Sequence, residues 1–265
     1  MPRAIVITSG KGGVGKTTLT VNLGRILSSV LEKKVVLLDT DFGLNNLDVV
    51  SGVDNMVVYD IVDVIDNRCR VSQALIRDEY CERLFVMPSA HAYDESCVDG
   101  QSIKAVVNAL KRTFDYILID CPAGIERGFH RAVASADEAV VVTTPHLSSL
   151  RDAEKTIRLI STYGLKKTYL VVNRVRGDLE LKGDAVSPID AESALKIPLL
   201  GAVPESDELN LLSSLGVPVS ERCEAFKATQ MLCKKLHYGK GEVYDGSKKY
   251  GGFWGRIRSK IKSIT

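Results

Sequence analysis

Seven short apolar runs punctuate the chain, at residues 4–7, 34–38, 84–88, 116–119, 139–145, 168–174 and 198–204. None alternates cleanly between apolar and polar positions, which predicts strands buried on both faces, as in a parallel sheet. Between them the apolar residues recur every three or four positions. Leu19, Leu23, Ile26, Leu27 and Val30 mark one helix face, Ile103, Val106, Val107 and Leu110 a second, and Leu150, Ala153, Ile157 and Ile160 a third. Residues 57–65 read as a short helix, and a last helix ends near His237. Strands and helices in alternation predict an α/β, doubly wound fold: a mostly parallel sheet of about seven or eight strands flanked by helices. No internal repeat is visible.

The first strand runs into Gly10-Lys11-Gly12-Gly13-Val14-Gly15-Lys16-Thr17-Thr18, and the first helix opens there. This fits G-x-x-x-x-G-K-[ST], a phosphate-binding loop. Glycines let backbone N–H groups curl round an anion, and the helix N-terminus adds partial positive charge. Lys16 would reach the β- and γ-phosphates of a nucleotide, and the Thr17 hydroxyl would ligate magnesium. Lys11 is surplus to that cradle.

Two more strands end in carboxylates. Residues 34–38 lead into Asp39-Thr40-Asp41, and residues 116–119 into Asp120-Cys121-Pro122-Ala123-Gly124. Ligands of open α/β sheets lie at these strand ends, so the acids could face the loop. Asp39 and Asp41 could equally cap a turn. An apolar run ending in aspartate is the Walker B arrangement, in which the carboxylate holds a magnesium-bound water. Asn173-Arg174 ends the sixth strand. The carboxamide could read an adenine edge or simply close a turn. Asp152 could answer a helix dipole.

Composition adds exclusions. With 265 residues, 45% hydrophobic and 26% charged, one large soluble domain over residues 1–238 is expected. The net charge of +2 makes no case for nucleic acid. Six scattered cysteines without a C-x-x-C pair argue against zinc or iron–sulfur ligation and suit buried thiols in a reducing cytosol. No export segment opens the chain, and no apolar run approaches the roughly 20 residues that span a bilayer. Membrane contact is therefore expected to be peripheral.

Residues 239–252 hold five glycines and read as a flexible linker rather than a packed element. Residues 253–265 follow. Phe253, Trp254, Ile257, Ile261 and Ile264 share one side of a helix, and Arg256, Arg258, Lys260 and Lys262 occupy the rest. No acid appears after Asp245. That is the make-up of an amphipathic membrane-targeting helix on anionic headgroups. A terminal helix docked on the body, or a basic arm on nucleic acid, are the alternatives, and the second leaves the isoleucines unexplained. Each basic residue at an anionic surface contributes about 1 kcal/mol and each buried CH₂ about 0.8, so one tail should bind weakly. Two linked tails gain about 10² to 10⁴ in avidity.

Residues 11–17 resemble, position for position, the K-G-G-x-G-K-[ST] loop of the deviant Walker A (MinD/ParA) ATPases. Residues 38–48 resemble the L-D-x-D-x-G-L-x-N-L-D signature of the MinD branch, and residues 120–124 its switch II start. The resemblance extends over essentially the whole chain, tail included, and implies a P-loop NTPase fold of the SIMIBI type. It implies ATP and Mg²⁺ as ligands, with Asp39 supporting the magnesium shell, Asp41 positioning the attacking water and Lys11 acting across an ATP-dependent homodimer. It further implies that Asn173, Arg174, Pro204 and Glu205 enclose the base, and that Lys11, Asn45 and Asp152 share a dimer and regulator surface. By the same resemblance the protein would place the division site from the inner face of the cell membrane. It would recruit a MinC-like inhibitor and leave the membrane when a MinE-like activator stimulates slow ATP hydrolysis. A ParA-like partition ATPase, a MinD-like regulator of flagellar number and an iron–sulfur carrier are rivals on the same fold, the last lacking its cysteine motif.

Overall fold

In the computed structural model, which describes residues 1–42, 46–90 and 98–250, all seven apolar runs become strands of one sheet. They are β1 (Arg3–Thr8), β2 (Val35–Asp39), β4 (Leu84–Met87), β5 (Tyr116–Asp120), β6 (Glu138–Thr143), β7 (Lys167–Val175) and β8 (Leu199–Pro204). A two-residue strand, β3 (Ile76–Arg77), completes eight among the described residues, in the order β3-β4-β2-β5-β1-β6-β7-β8. Every neighbouring pair is parallel except β3–β4. The chain winds from β1 outward to β2 and β4, and later from β6 to β8 on the other side. The two directions part at β1, so the crevice opens at its C-terminal end.

The continuous apolar runs are explained by two cores. Ala4, Val6, Val36, Leu38, Ile117 and Ile119 face one layer, while Ile5, Ile7, Val35, Leu37, Tyr116 and Leu118 face the other. The first layer is closed by α4 (Gly100–Leu110), α5 (Arg127–Ser135), α6 (Leu147–Ser161) and α8 (Pro188–Leu195). The second is closed by α1 (Lys16–Ser29), α9 (Asp207–Ser214) and α10 (Glu224–Tyr238). At about 1.5–3 kcal/mol for each fully buried aliphatic side chain, this double burial holds the strand ends still.

Smaller elements depart from expectation. Helix occupies only α3 (Ile61–Ile65) of residues 57–65, because the Asp60 side chain accepts from the Val62 and Asp63 N–H groups and so fixes the start. Two further short helices, α2 (Leu47–Ser51) and α7 (Gly177–Lys182), lie in connections.

The flexible linker is corrected by the structure. Residues 239–242 are exposed, but residues 243–250 run against the body as a strap, with Gly246 and Tyr250 buried. Gly246 crosses Gly177 so closely that a Cβ on Gly177 would stand 2.1 Å from the Gly246 carbonyl oxygen. Tyr244 donates to Glu224, and Lys249 pairs with the same carboxylate. Composition misled here because two of the segment's glycines serve close approach and a turn rather than freedom. Residues 251–252 and the residues expected to meet a membrane, Phe253, Trp254, Arg256, Ile257, Arg258, Lys260, Ile261, Lys262 and Ile264, lie outside the described residues, as does Asn45. Among the described residues no helix is long and apolar enough to cross a membrane.

Candidate functional site

The loop between β1 and α1 carries residues 9–15, with α1 beginning at Lys16. Gly15 is the residue before the helix, at φ 90°, and a Cβ there would stand 2.4 Å from Asn173 Nδ2. Only glycine satisfies both demands. Asn173 Nδ2 donates to the Val14 carbonyl at 2.8 Å, tying the end of β7 to the loop. At the other end, Gly10 lies against α6, where a Cβ would come 2.4 Å from the Asp152 carbonyl oxygen. The loop is thus clamped at both ends. Lys16 is buried at the helix start, whereas Lys11, Gly12 and Gly13 are exposed.

Below the loop, three strand ends bring the acids together. Asp39 and Asp120 are partners in the β2–β5 register, and Asp120 is also the partner of Ile7 on β1. Thr17 Oγ1 donates to Asp120 Oδ2 at 2.6 Å, and Thr20 Oγ1 to Oδ1 at 3.2 Å. The Asp41 N–H donates to Asp39 Oδ1 at 2.8 Å, while Asp39 Oδ2 is buried and accepts no hydrogen bond. Burial, reinforced by Asp120, pushes the Asp39 carboxyl well above the usual carboxylate range. Burial also raises Asp120 to about 6, against the opposing pull of Thr17, Lys16 and Thr20.

Two buried carboxyls that resist ionisation, one of them with an unpartnered oxygen, fit a divalent cation. The donors are all hard oxygens, which suits Mg²⁺. Among the described residues no group of three His, Cys, Asp or Glu side chains converges to hold a metal alone. A magnesium ion here would rely on Thr17, phosphate oxygens and water, its usual manner of binding beside one or two carboxylates.

A second cleft flanks the loop. Gly15, Thr18, Asn173, Arg174, Pro204 and Glu205 line it together with residues 206, 209 and 210. Arg174 adopts φ 58° and approaches Glu205 at 3.9 Å. Asn210 Nδ2 donates to Glu205 at 3.2 Å. The four residues expected by resemblance to enclose the base are therefore in one place, beside Gly15 and Thr18 on either side of Lys16 in the chain.

The model of the CobQ/CobB/MinD/ParA nucleotide-binding domain matches residues 5–219. The septum site-determining protein MinD of Bacillus subtilis is 48% identical over 222 residues, covering 83% of this chain and 82% of that protein. The chain belongs to the MinD branch of this family. Two solved structures resemble it closely. The Aquifex aeolicus MinC:MinD cell division complex superposes at TM-score 0.83 with 38% identity over 91% of this chain and 97% of that one. Pyrococcus horikoshii MinD complexed with Mg-ADP superposes at 0.79 with 31% identity over 89% and 96%. The nucleotide-binding domain is common to the family, and the Pyrococcus horikoshii structure holds Mg-ADP.

Within this MinD-type framework the remaining site residues can be located. Asp41 is half-buried and lines a cavity of about 180 Å³ with Phe42, Glu126 and Arg131. Asp152 is the sixth residue of α6, beyond the first turn where the helix dipole acts, so capping does not account for it. Its backbone abuts Gly10, next to Lys11, and its side chain lies 3.6 Å from Lys155.

Sequence reasoning passed over several participants. Thr40 Oγ1 donates to the Asp120 carbonyl at 2.6 Å and ties β2 to β5 at the site. Thr20 looked like an ordinary helix residue. It lies one turn beyond Lys16, where a short polar side chain was the available signal. Ser206 and Asn210 come from a helix start that carried no nucleotide motif. Among the described residues the five cysteines, at 69, 81, 121, 223 and 233, are free, and burial raises the Cys121 thiol to about 12 and Cys81 to about 11.

Proposed function

We propose that this protein is a dimerising ATPase that places the division site from the inner face of the cytoplasmic membrane. The observation that carries it is the joining of an exposed Lys11 to a loop whose Thr17 hydroxyl already engages Asp120 beside the unsatisfied Asp39 oxygen. Lys16 would bind the phosphates, and Asn173, Arg174, Pro204 and Glu205 the base. Magnesium, held by Thr17 and through water by Asp39 and Asp120, would neutralise phosphate charge. Asp41 would orient the attacking water, and Lys11 of the facing subunit would supply positive charge to the transition state. Among the described residues the loop is lined by no strong base, so turnover would be slow until a MinE-like activator engages a surface that would include Lys11, Asn45 and Asp152. The same surface would receive a MinC-like inhibitor, a reading supported by the resemblance to the MinC:MinD complex.

ATP would bring two tails together, so that residues 253–265 of both subunits hold anionic lipid, and hydrolysis would part them. Flotation with phosphatidylglycerol-containing vesicles tests this in ATP, ADP and no nucleotide. Recovery should rise at least tenfold with ATP through avidity, and Ile257→Glu should abolish it while nucleotide binding persists. Equal recovery in all three conditions would overturn the switch.

A further inference from the structure

The strap delivers the chain to a feature that nucleotide chemistry does not use. A cavity of about 380 Å³ opens between α7, α8 and the strap, lined by Glu180, Ile189, Glu242, Val243, Tyr244 and Asp245 among others. Its lining combines apolar side chains with four acidic ones, Glu180, Glu192, Glu242 and Asp245. Ile189, on the first turn of α8, is 69% exposed although it is a large aliphatic side chain beside a concavity. Glu180 is half-buried. Burial and the neighbouring charges of Asp245 and Asp190 push its carboxyl above the usual range, so the lining crowds like charge. A second hollow of about 630 Å³ continues past Glu180 to Asp184 and Asp190. Two lysines also line the first cavity. Lys235 is committed to the Leu199 carbonyl at 2.8 Å, which leaves Lys248 at the strap itself.

The described chain stops at the buried Tyr250, two residues after Lys248. At about 3.3–3.6 Å per extended residue, Phe253 and Trp254 come within about 14 Å of Tyr250, well within reach of the cavity. Beyond them the chain is apolar and basic, with no acid after Asp245. The apolar lining suits apolar residues, and the acidic lining suits basic ones.

We propose that in the subunit away from membrane, residues 253–265 dock in cis on this cavity, with Phe253 and Trp254 over Ile189 and Val243 and Arg256 and Arg258 against Glu180, Glu242 and Asp245. This rests on the reading of the tail as the membrane-binding segment and adds what holds it when no lipid is present. Docking taxes membrane affinity by the fraction of tails left free. A tail docked nine-tenths of the time binds lipid about tenfold more weakly than a free one.

Trp254 is the one tryptophan of the chain, so its emission reports the tail directly. The test compares acrylamide quenching of the full-length protein, without lipid, with that of a synthetic peptide of residues 253–265 and with the variant Ile189→Ser/Glu242→Lys. Both substituted positions are exposed, and circular dichroism checks the fold. The full-length protein should be quenched several-fold less than the peptide, and the variant should approach the peptide. In vesicle flotation without nucleotide the variant should bind about tenfold better than the unmodified chain. Quenching equal to the peptide's, protection unchanged in the variant, or protection that disappears on dilution, which would signify docking on a second copy, would each overturn the proposal. The quenching contains no lipid or ATP, so it fails independently of the ATP-dependent flotation that tests the function itself.

Discussion

Alanine at Gly10 and, separately, at Gly12 changes the same motif by the same methyl group two residues apart. At Gly10 the added carbon would lie 2.4 Å from the Asp152 carbonyl oxygen, 2.6 Å from its carbon and 2.8 Å from Thr156 Oγ1. The first two are backbone atoms of α6 and cannot rotate away, so loop or helix must shift by about 1 Å; overpacking of this kind costs about 1–3 kcal/mol. Displacing Thr156 also strains its hydrogen bond to the Asp152 carbonyl, worth about 1 kcal/mol. Gly10→Ala should therefore lose about 2–4 kcal/mol of stability, the sum of these contributions. At Gly12 the new carbon would meet only the Ala123 methyl, at 3.7 Å, and φ is not positive. Restricting the unfolded chain then favours the folded state by about 0.4–1 kcal/mol. Urea denaturation of nucleotide-free protein, followed by circular dichroism, separates the two. With a slope of about 2 kcal/mol/M, the Gly10 midpoint should fall by about 1–2 M and the Gly12 midpoint stay level or rise. A Gly10→Ala midpoint equal to wild type, or equal losses in both variants, would refute the clamping of the loop by α6.

Three further outcomes are expected. Thr17→Val removes the hydroxyl that engages Asp120 and would ligate magnesium, so nucleotide affinity in Mg²⁺ should fall to the value in EDTA; an intact Mg²⁺ enhancement by titration calorimetry would contradict the site. Arg25→Met strands the buried Asp78 carboxylate and frees the Ser51 and Gly216 carbonyls, and should cost about 3–5 kcal/mol in urea melts; a loss below about 1 kcal/mol would remove that pair from the account. Burial raises the Asp137 carboxyl, but hydrogen bonds from Lys111 and the Ala4 N–H outweigh it and hold its pKa below the usual value. Its stabilisation is therefore present above the unfolded pKa and is lost as pH falls through the folded one. Asp137→Asn should be less stable than wild type near neutrality by about 1–2 kcal/mol, with the gap closing below about pH 4; a gap independent of pH would contradict the ionic contribution.

The sheet was legible because each central strand buries both faces and so writes itself as an unbroken apolar run. β3 was not, since two residues on an antiparallel edge carry no period. The phosphate loop and the strand-end acids were legible by motif, yet the reasons for individual glycines were not. Gly10 and Gly15 answer to Asp152 and Asn173, more than a hundred residues away. Asn173 shows the same limit. Its residue type suggested a base contact, while its amide also braces the Val14 carbonyl. The strap is the clearest miss, because glycine content signals freedom only when nothing lies alongside, and Gly177 lies alongside Gly246.

The central claim is that ATP joins two subunits through the exposed Lys11. Sedimentation velocity of the purified full-length chain, saturated with Mg²⁺ and a non-hydrolysable ATP analogue, reads it directly. A dimer boundary with the analogue, a monomer boundary with ADP, and a monomer in both for Lys11→Ala are the predicted results. A wild-type chain that stays monomeric with the analogue, or a Lys11→Ala variant that dimerises as well as wild type, would contradict it.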